Sequence, residues 1–335
     1  MIVARPPLDV LDRMRDGEVL GDHAAAAASW VVVTGGGSGI GRALVHHFSK
    51  THLVLTCGRR AHAIEATRAN SPHSESVHAV VCDIGTTSGR DALVRALPAG
   101  ARLDFLVHNA AIGDPASLPN VDIDHFEESL RVNVVAPLAL SQSFLPALTR
   151  AGGRILHLGT SVAHHPQQGT ATYGVTKSAF HRLFLQMNVE GLGVPVGSLS
   201  PGLVDTEGVR EHVAKARSLT LPHVRFFDDA FEKQWTTPLP LLLQFVDELL
   251  AMDADTFGSR EWRFSEWRKE KQAAAAHEEA RRGLTYGEWK QRMVRDGFVQ
   301  PDGPSKHGSA LVAALAVGAA ATAMAVAVGV SLRRR

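Results

Sequence analysis

Tyr173 and Lys177 stand four residues apart, a spacing that places two side chains on the same face of a helix. An ammonium group held beside a phenol favours the phenolate and lowers the phenol pKa from about 10 toward neutral. The pair therefore predicts a group that gives and takes protons at working pH. The same spacing also occurs on solvated helix faces, so the pair alone leaves that second interpretation open.

A glycine-rich stretch at residues 35–41 follows an apolar, β-branched run and precedes a helical pattern, which indicates a strand, a turn and a helix. Gly35, Gly39 and Gly41 allow close backbone approach to a pyrophosphate, whose charge the helix N-terminus stabilises. The strict G-x-G-x-x-G register is absent, and an ordinary flexible loop is the alternative interpretation.

The order of these motifs resembles that of the short-chain dehydrogenase/reductase family. Residues 34–41 match its T-G-x-x-x-G-x-G turn, and residues 173–177 match its Y-x-x-x-K segment. Residues 82–84, 108–111 and 131–134 are similar to its adenine-contacting Asp, its N-A-G turn and its helix-borne Asn, and residues 200–206 to its P-G-x-x-x-T segment. The resemblance covers roughly residues 30–265 and implies a nicotinamide-dependent oxidoreductase.

The resemblance also implies which residues form the site. The implied catalytic residues are Asn133, Thr160, Tyr173 and Lys177. The implied cofactor-binding residues are Gly35, Ser38, Gly39, Ile40, Gly41, Arg59, Arg60, Asp83, Ile84, Asn109, Ala110, Pro201, Gly202, Val204 and Thr206, together with Tyr173 and Lys177.

Thr160 lies thirteen residues before Tyr173, where members of the family usually carry a Ser. Threonine keeps the hydroxyl that polarises a substrate carbonyl, although its methyl group restricts χ1 and narrows the pocket. Ser161 is the alternative if the loop is shifted by one residue.

Residues 53–60, at the end of the second predicted strand, carry no acid that would bind the ribose 2′-OH of NAD. Gly58 stands where relatives have an Asp, and Arg59 follows with a guanidinium suited to a 2′-phosphate. We therefore expect NADP(H) rather than NAD(H), with Arg60 and Ser38 as further contacts. The alternative is that these arginines are only solvated.

The implied reaction is hydride transfer between the nicotinamide and a carbonyl or alcohol substrate, with Tyr173 as the proton donor. Lys177 would lower the Tyr173 pKa and hold the ribose, and Asn133 would hold a water that links Lys177 to solvent. The alternative is a membrane-tethered NADPH-binding regulator or scaffold with weak or no turnover. The chain is loosely similar to the sepiapterin-reductase-like and carbonyl-reductase branch, which leaves pterins, steroid-like ketones, diketones and lipid aldehydes open.

Six apolar runs alternate with helical patterns, which predicts an α/β fold with a doubly wound parallel sheet, the Rossmann fold, in a single domain. Ligands of such sheets bind outside the carboxyl ends of the strands. Residues 203–236 lack a clear period and are expected to form a mobile flap over the substrate. The runs lie at residues 30–34, 53–57, 77–82, 103–108, 153–158 and 194–199.

The 335 residues are 45% hydrophobic, which is enough apolar content for one large core. The net charge of +1 shows no excess of basic residues that would indicate nucleic-acid binding. Cys57 and Cys82 are expected to be buried strand residues of a protein in a reducing compartment. The 17 histidines show no metal-ligand spacing, so the sequence predicts no catalytic metal.

Segments outside residues 30–265 give further expectations. Residues 1–29 are too acidic for a transit peptide and form an N-terminal extension, and residues 266–308 are a charged helical stalk. Residues 309–332 carry no charge and are long enough to cross a bilayer, which predicts a single-pass tail anchor, with a buried core helix as the alternative. The catalytic domain would face the cytosol, on the mitochondrial outer or peroxisomal membrane in a eukaryote. A homodimer or homotetramer is expected from the resemblance alone.

Overall fold

The computed structural model describes residues 28–281 and 286–299, and it divides the chain into two compact units, Met1–Ser265 and Glu266–Arg335. The first unit is built on one seven-stranded sheet in which every neighbouring pair is parallel, with the order β3-β2-β1-β4-β5-β6-β7. The strands are β1 Ser29–Thr34, β2 Leu53–Gly58, β3 Val77–Val81, β4 Arg102–His108, β5 Arg154–Leu158, β6 Val196–Ser200 and β7 Glu261–Arg263.

Helices connect the strands, as parallel pairing requires. They are α1 Gly39–Phe48, α2 Ala61–Ala69, α3 Thr87–Arg95, α4 Ile123–Leu130, α5 Ala136–Ala151, α6 Ala171–Glu190, α7 Glu207–Ser218, α8 Val224–Glu232, α9 Leu239–Leu250, α10 Ala254–Gly258, α11 Phe264–Arg281 and α12 Tyr286–Arg295. A π-helical turn, Arg131–Val135, joins α4 to α5.

The core lies on both faces of β1, whose six residues are all buried. Trp30 and Val32 join a cluster that includes Leu140 and Phe144 of α5. Because side chains alternate along a strand, the residues between them are buried against the opposite face. A strand buried on both faces is typical of a sheet with helices on either side, so the predicted doubly wound parallel sheet is confirmed.

All six predicted strands are present, with ends within two residues of the predicted positions. β7 could not be predicted, because its three residues are too few for an alternating pattern. Residues 203–236, which lack a clear period in the sequence, form α7 and α8 over most of their length, and the mobile flap over the substrate stays a prediction. Thr206 begins α7 by accepting a hydrogen bond from the backbone N of Val209 (3.3 Å), and a small apolar cluster buries one side of both helices.

The second unit contains most of α11 and all of α12. Within it the Arg268 side chain donates to the carbonyl oxygen of Phe298 (2.9 Å), and the Trp267 and Phe298 rings lie 6.1 Å apart. The predicted membrane segment 309–332 and residues 1–27 of the predicted extension lie outside the described residues. Within those residues, one continuous helix, Ile123–Ala151, is long and apolar enough to span a membrane, and half of its apolar stretch is buried in the fold, as in a core helix.

Candidate active site

The site forms where the carboxyl ends of the parallel strands meet. Gly35 directly follows β1, Asn109 directly follows β4, and Thr160 comes two residues after β5. Asp83 and Pro201 follow β3 and β6 in the same way. The sheet therefore places the predicted residues of the glycine-rich and tyrosine–lysine motifs along the edge formed by the carboxyl ends of its strands, although they are far apart in sequence.

The glycine-rich turn is tight enough to require glycine. Gly35 and Gly39 have φ angles of +72° and +53°, and a Cβ on Gly41 would lie 2.2 Å from the Gly35 carbonyl oxygen. Ser38 is the N-cap residue of α1, but its side chain makes no capping hydrogen bond. The N–H groups of the first turn of α1 are thus left for another acceptor, which fits the pyrophosphate of a dinucleotide.

Asn109 connects this turn to β4. Its Nδ2 donates to the carbonyl oxygens of Thr34 (2.9 Å) and Gly35 (3.1 Å), while its backbone N donates to the Thr34 hydroxyl (3.1 Å). The backbone N of Ala110 donates to the same hydroxyl (3.1 Å). Asn109 and Ala110 therefore hold the shape of the turn, in addition to lying where a nucleotide would bind.

Asp83 and Ile84 form the turn after β3. The Asp83 carboxylate accepts a hydrogen bond from the backbone N of Gly85 (2.8 Å), and Ile84 is buried. The carboxylate is therefore fixed at the sheet edge by its own turn, in the position predicted for an adenine contact.

The segment after β6 meets the glycine-rich turn. Gly202 has a φ angle of +73°, and the Thr237 hydroxyl donates to the carbonyl oxygen of Pro201 (2.8 Å). Val204 is buried, and a Cβ on Gly39 would lie 3.0 Å from the Thr206 methyl group. Ile40 lies in the first turn of α1, so the predicted residues of the two segments come together.

Tyr173 lies in the first turn of α6. Burial raises the pKa of Tyr173 to about 12, and the hydrogen bond with Thr160 acts in the opposite direction. Ser161 is exposed and begins a short 3₁₀ turn. Thr160 therefore lies close enough to Tyr173 to affect its pKa, at the position that the family resemblance implies.

Lys177 is buried, and its Nζ donates to the carbonyl oxygen of Leu158 (2.8 Å). Burial lowers the pKa of Lys177 to about 8, while the charge of Glu261 raises it. The expectation that Lys177 lowers the Tyr173 pKa is not met, because burial dominates and the lowering influence comes from Thr160. The ammonium group is held by the Leu158 carbonyl, 5.9 Å from the centre of the Tyr173 ring.

Asn133 lies in the π-helical turn, a feature often found at functional sites. Its Oδ1 accepts from the backbone N of Ile112 (2.9 Å), and its Nδ2 donates to the Ile112 carbonyl (2.7 Å) and to the Thr176 hydroxyl (2.9 Å). Thr176 is the residue before Lys177, so Asn133 ties the turn after β4 to α6. The predicted water link to Lys177 stays a prediction.

Within the described part of the chain, the two arginines after β2 do not hydrogen bond with the catalytic residues but lie at the start of α2. Arg59 Nη1 lies 2.6 Å from Glu128 Oε1, with half of the arginine side chain exposed, and Arg60 is the N-cap residue of α2. Glu128 was not predicted from sequence, because its position depends on how α4 packs. Arg42 was not predicted either, and its Nη2 donates to the Gly37 carbonyl (2.7 Å) inside the glycine-rich turn. A cation directly after Gly41 is the signal that identifies it.

Comparison with known proteins shows which family the chain is similar to. The short chain dehydrogenase family matches residues 29–217. Serine 3-dehydrogenase of Agrobacterium fabrum is 33% identical over 183 residues, which cover 53% of this chain and 72% of that protein.

Two solved structures share the fold. The KRED1-Pglu enzyme has a TM-score of 0.62 at 22% identity and is covered over 99% of its length by 70% of this chain. A putative NAD(P)-dependent gluconate 5-dehydrogenase from Beutenbergia cavernae with bound NADP has a TM-score of 0.54 at 30% identity, with 70% of this chain covering 94% of that chain. The chain belongs to the short-chain dehydrogenase family, whose members act on alcohol and carbonyl substrates.

Proposed function

We propose that this oxidoreductase uses NADP(H) to interconvert a carbonyl compound and its alcohol, with Tyr173 as the acid/base. The observation that carries the proposal is the convergence of Thr160, Tyr173 and the buried Lys177 at the same carboxyl edge of the sheet as the glycine-rich turn. A nicotinamide cofactor bound along that edge would supply or accept the hydride.

The hydroxyls of Thr160 and Tyr173 have different roles toward a substrate oxygen. Thr160 donates a hydrogen bond that orients and polarises the carbonyl. Tyr173 keeps its proton at neutral pH, because its pKa lies at about 12, and gives it to the oxygen as negative charge develops there. Lys177 is cationic below its pKa of about 8 and would stabilise that negative charge electrostatically. This combination of protonation states supports carbonyl reduction at neutral pH.

The pyrophosphate fits the turn from Gly35 to Gly41 and the start of α1, and the adenine end fits the turn that carries Asp83 and Ile84. Arg59 supports NADP(H) rather than NAD(H), since no acid follows β2. The NADP bound to the Beutenbergia cavernae protein agrees with this choice. Arg59 would then exchange Glu128 for the 2′-phosphate.

The test is NADPH oxidation by the full chain with a panel of pterin, quinone, diketone, steroid and aldehyde substrates. Serine with NADP⁺ is added because the Agrobacterium fabrum relative is named for it. Turnover that disappears in Tyr173→Phe supports the reductase. Tight NADPH binding without turnover on any compound would instead favour the cofactor-binding regulator.

We also propose that residues 309–332 bind this enzyme to a membrane. The support is their composition, 24 residues without a charge between Lys306 and Arg333, which as a helix would span about 36 Å. Flotation of the full chain with phospholipid vesicles, and its loss on deletion of residues 309–332, is the expected result. A chain that stays in the aqueous fraction would contradict the tether.

A homodimer is proposed from the surface of α5 and α6. Leu138, Val175, Leu185 and Val189 are exposed apolar residues on these helices, Val189 with 83% of its area accessible. Exposed apolar patches mark association surfaces. Light scattering of the full chain and of Val189→Asp should show a dimer that the charge weakens, whereas a wild-type monomer would contradict the proposal.

A further inference from the structure

Three side chains that are distant in sequence converge beside the active-site loop. His164 follows the 3₁₀ turn after Thr160, His181 lies one helical turn beyond Lys177 on α6, and Glu261 begins β7. His164 Nε2 lies 2.9 Å from Glu261 Oε1, and His181 Nδ1 lies 3.3 Å from Glu261 Oε2. All three ligand atoms lie within 4.8 Å of one another. Residue spacing could not reveal this cluster, because β7 was not predicted.

The carboxylate at its centre is built into the fold. The Glu261 side chain is only 5% exposed, and its Oε2 accepts a hydrogen bond from Ser198 on β6 (3.3 Å). A Cβ on Gly159 would lie 2.5 Å from the same oxygen, so glycine at this position leaves room for the carboxylate. A buried carboxylate, oriented by a neighbouring hydroxyl, resembles the supported ligands of metal sites.

The two imidazoles are held by separate elements. The loop that carries His164 is fixed to α6 by Ser178, whose hydroxyl donates to the Ala163 carbonyl (2.7 Å). The rings of His164 and His181 lie 4.4 Å apart and are each about one-fifth exposed, so an ion has a path from solvent. His181 Nδ1 approaches Glu261 Oε2 at 3.3 Å without the geometry of a hydrogen bond, a contact that a bound metal ion would replace.

We propose that His164, His181 and Glu261 bind a divalent transition metal ion, with zinc as the best match. Two histidines and one glutamate form a known ligand set for zinc, and three protein ligands leave a position for water. Tetrahedral bonds of about 2.0–2.2 Å place ligand atoms roughly 3.3–3.5 Å apart, a separation that small side-chain rotations reach from the observed distances. The ion would join the Thr160 loop, α6 and β7.

A metal-free ion pair between Glu261 and a protonated histidine is the competing explanation. Burial lowers the pKa of His181, and the charges of His164 and Arg263 act in the same direction, while Glu261 raises it. The neutral imidazole is the form that binds a metal ion. Lys177 and Arg263 add positive charge nearby, which weakens binding of any cation. Direct measurement of metal binding separates the two explanations.

The experiment uses the full chain, stripped with a chelator and dialysed against zinc or cobalt. Bound zinc is counted by elemental analysis, its affinity is measured by competition with a chromophoric chelator, and Co²⁺ is followed by its visible absorption. The variants are Glu261→Gln, His181→Asn and His164→Asn. The control is His165→Asn, an exposed neighbour outside the cluster.

The wild type and His165→Asn should bind one equivalent more zinc than the three variants, or bind it on the order of 10²-fold more tightly, and should give the Co²⁺ bands of a four-coordinate site. Equal stoichiometry and affinity in all five proteins would overturn the proposal, since any zinc would then sit on other histidines. Circular dichroism identifies a variant that fails to fold, and the partly exposed His164 provides the variant least disturbing to the core. None of these readouts depends on turnover, so the proposed function can fail while this site stands.

Discussion

Two regions at the same sheet edge show different ways to prepare for a ligand. In the hydroxyl pocket, formed by Asn133, Thr160, Tyr173 and Lys177, the polar side chains already hydrogen bond with the protein. In the arginine corner after β2, half-exposed Arg59 pairs with Glu128 on another element. The hydroxyl pocket is therefore organised by the fold itself, whereas the arginine corner must exchange one partner for another. Catalytic groups must be held in position before the substrate binds, which the hydroxyl pocket achieves. A contact that only selects the cofactor can begin as an exposed ion pair, because such a pair contributes little and is easily exchanged.

The largest expected effect is loss of the Tyr173 hydroxyl. Tyr173→Phe keeps the aromatic ring but removes the proton donor, so turnover should fall by roughly 10³-fold. NADPH affinity should stay nearly constant, because the glycine-rich turn and the arginine corner are untouched. Steady-state kinetics and equilibrium NADPH binding measure the two quantities. A variant that keeps the wild-type rate would remove the chemical role assigned to the hydroxyl pocket.

Thr160 offers a matched pair of substitutions. Thr160→Val keeps the shape and deletes the hydroxyl, and we expect turnover to fall by about 10²-fold, as on removal of a hydrogen-bond donor to an oxyanion. Thr160→Ser keeps the hydroxyl and should retain most of the activity. Because the hydrogen bond from Thr160 lowers the Tyr173 pKa, the valine variant should also have a higher tyrosine pKa. Equal activity of the valine and serine variants would transfer the role to another group.

The pH dependence of the turnover number for carbonyl reduction should follow the ionisation of Lys177. A lysine is cationic below its pKa, and burial lowers the pKa of Lys177 to about 8. The positive charge of Lys177 is therefore present at neutral pH and lost above pH 8. The turnover number should therefore decline about tenfold per pH unit on the alkaline side, while Tyr173 stays protonated because its pKa is about 12. Lys177→Arg should remove this decline, since arginine stays charged. A flat wild-type profile up to pH 10 would show that the cation is not required.

The hydroxyl pocket was the easier region to predict from sequence. Tyr173 and Lys177 are one helical turn apart, a spacing that the sequence shows directly, and the family resemblance points to Thr160 thirteen residues before the tyrosine. The strands were predicted because their apolar runs are continuous. The partners of Asn133 and Arg59 could not be predicted, because Ile112 and Glu128 come from elements whose packing is decided by the whole fold. The direction of the Tyr173 pKa shift depends on burial, which no spacing shows.

The smallest effects are expected in the arginine corner, and they test whether it exchanges partners. Arg59→Ala should raise the KM for NADPH by about ten-fold, as on loss of a hydrogen bond to a charged group, and leave the KM for NADH unchanged. Glu128→Gln removes the competing carboxylate and should lower the KM for NADPH by only about two-fold, because an exposed ion pair contributes little. If the KM for NADPH rises in Arg59→Ala and falls in Glu128→Gln while turnover stays the same, Glu128 holds the guanidinium until the 2′-phosphate replaces it. If Arg59→Ala weakened both cofactors equally, the arginine would position the turn after β2 rather than read the phosphate, and the arginine corner would resemble the hydroxyl pocket after all.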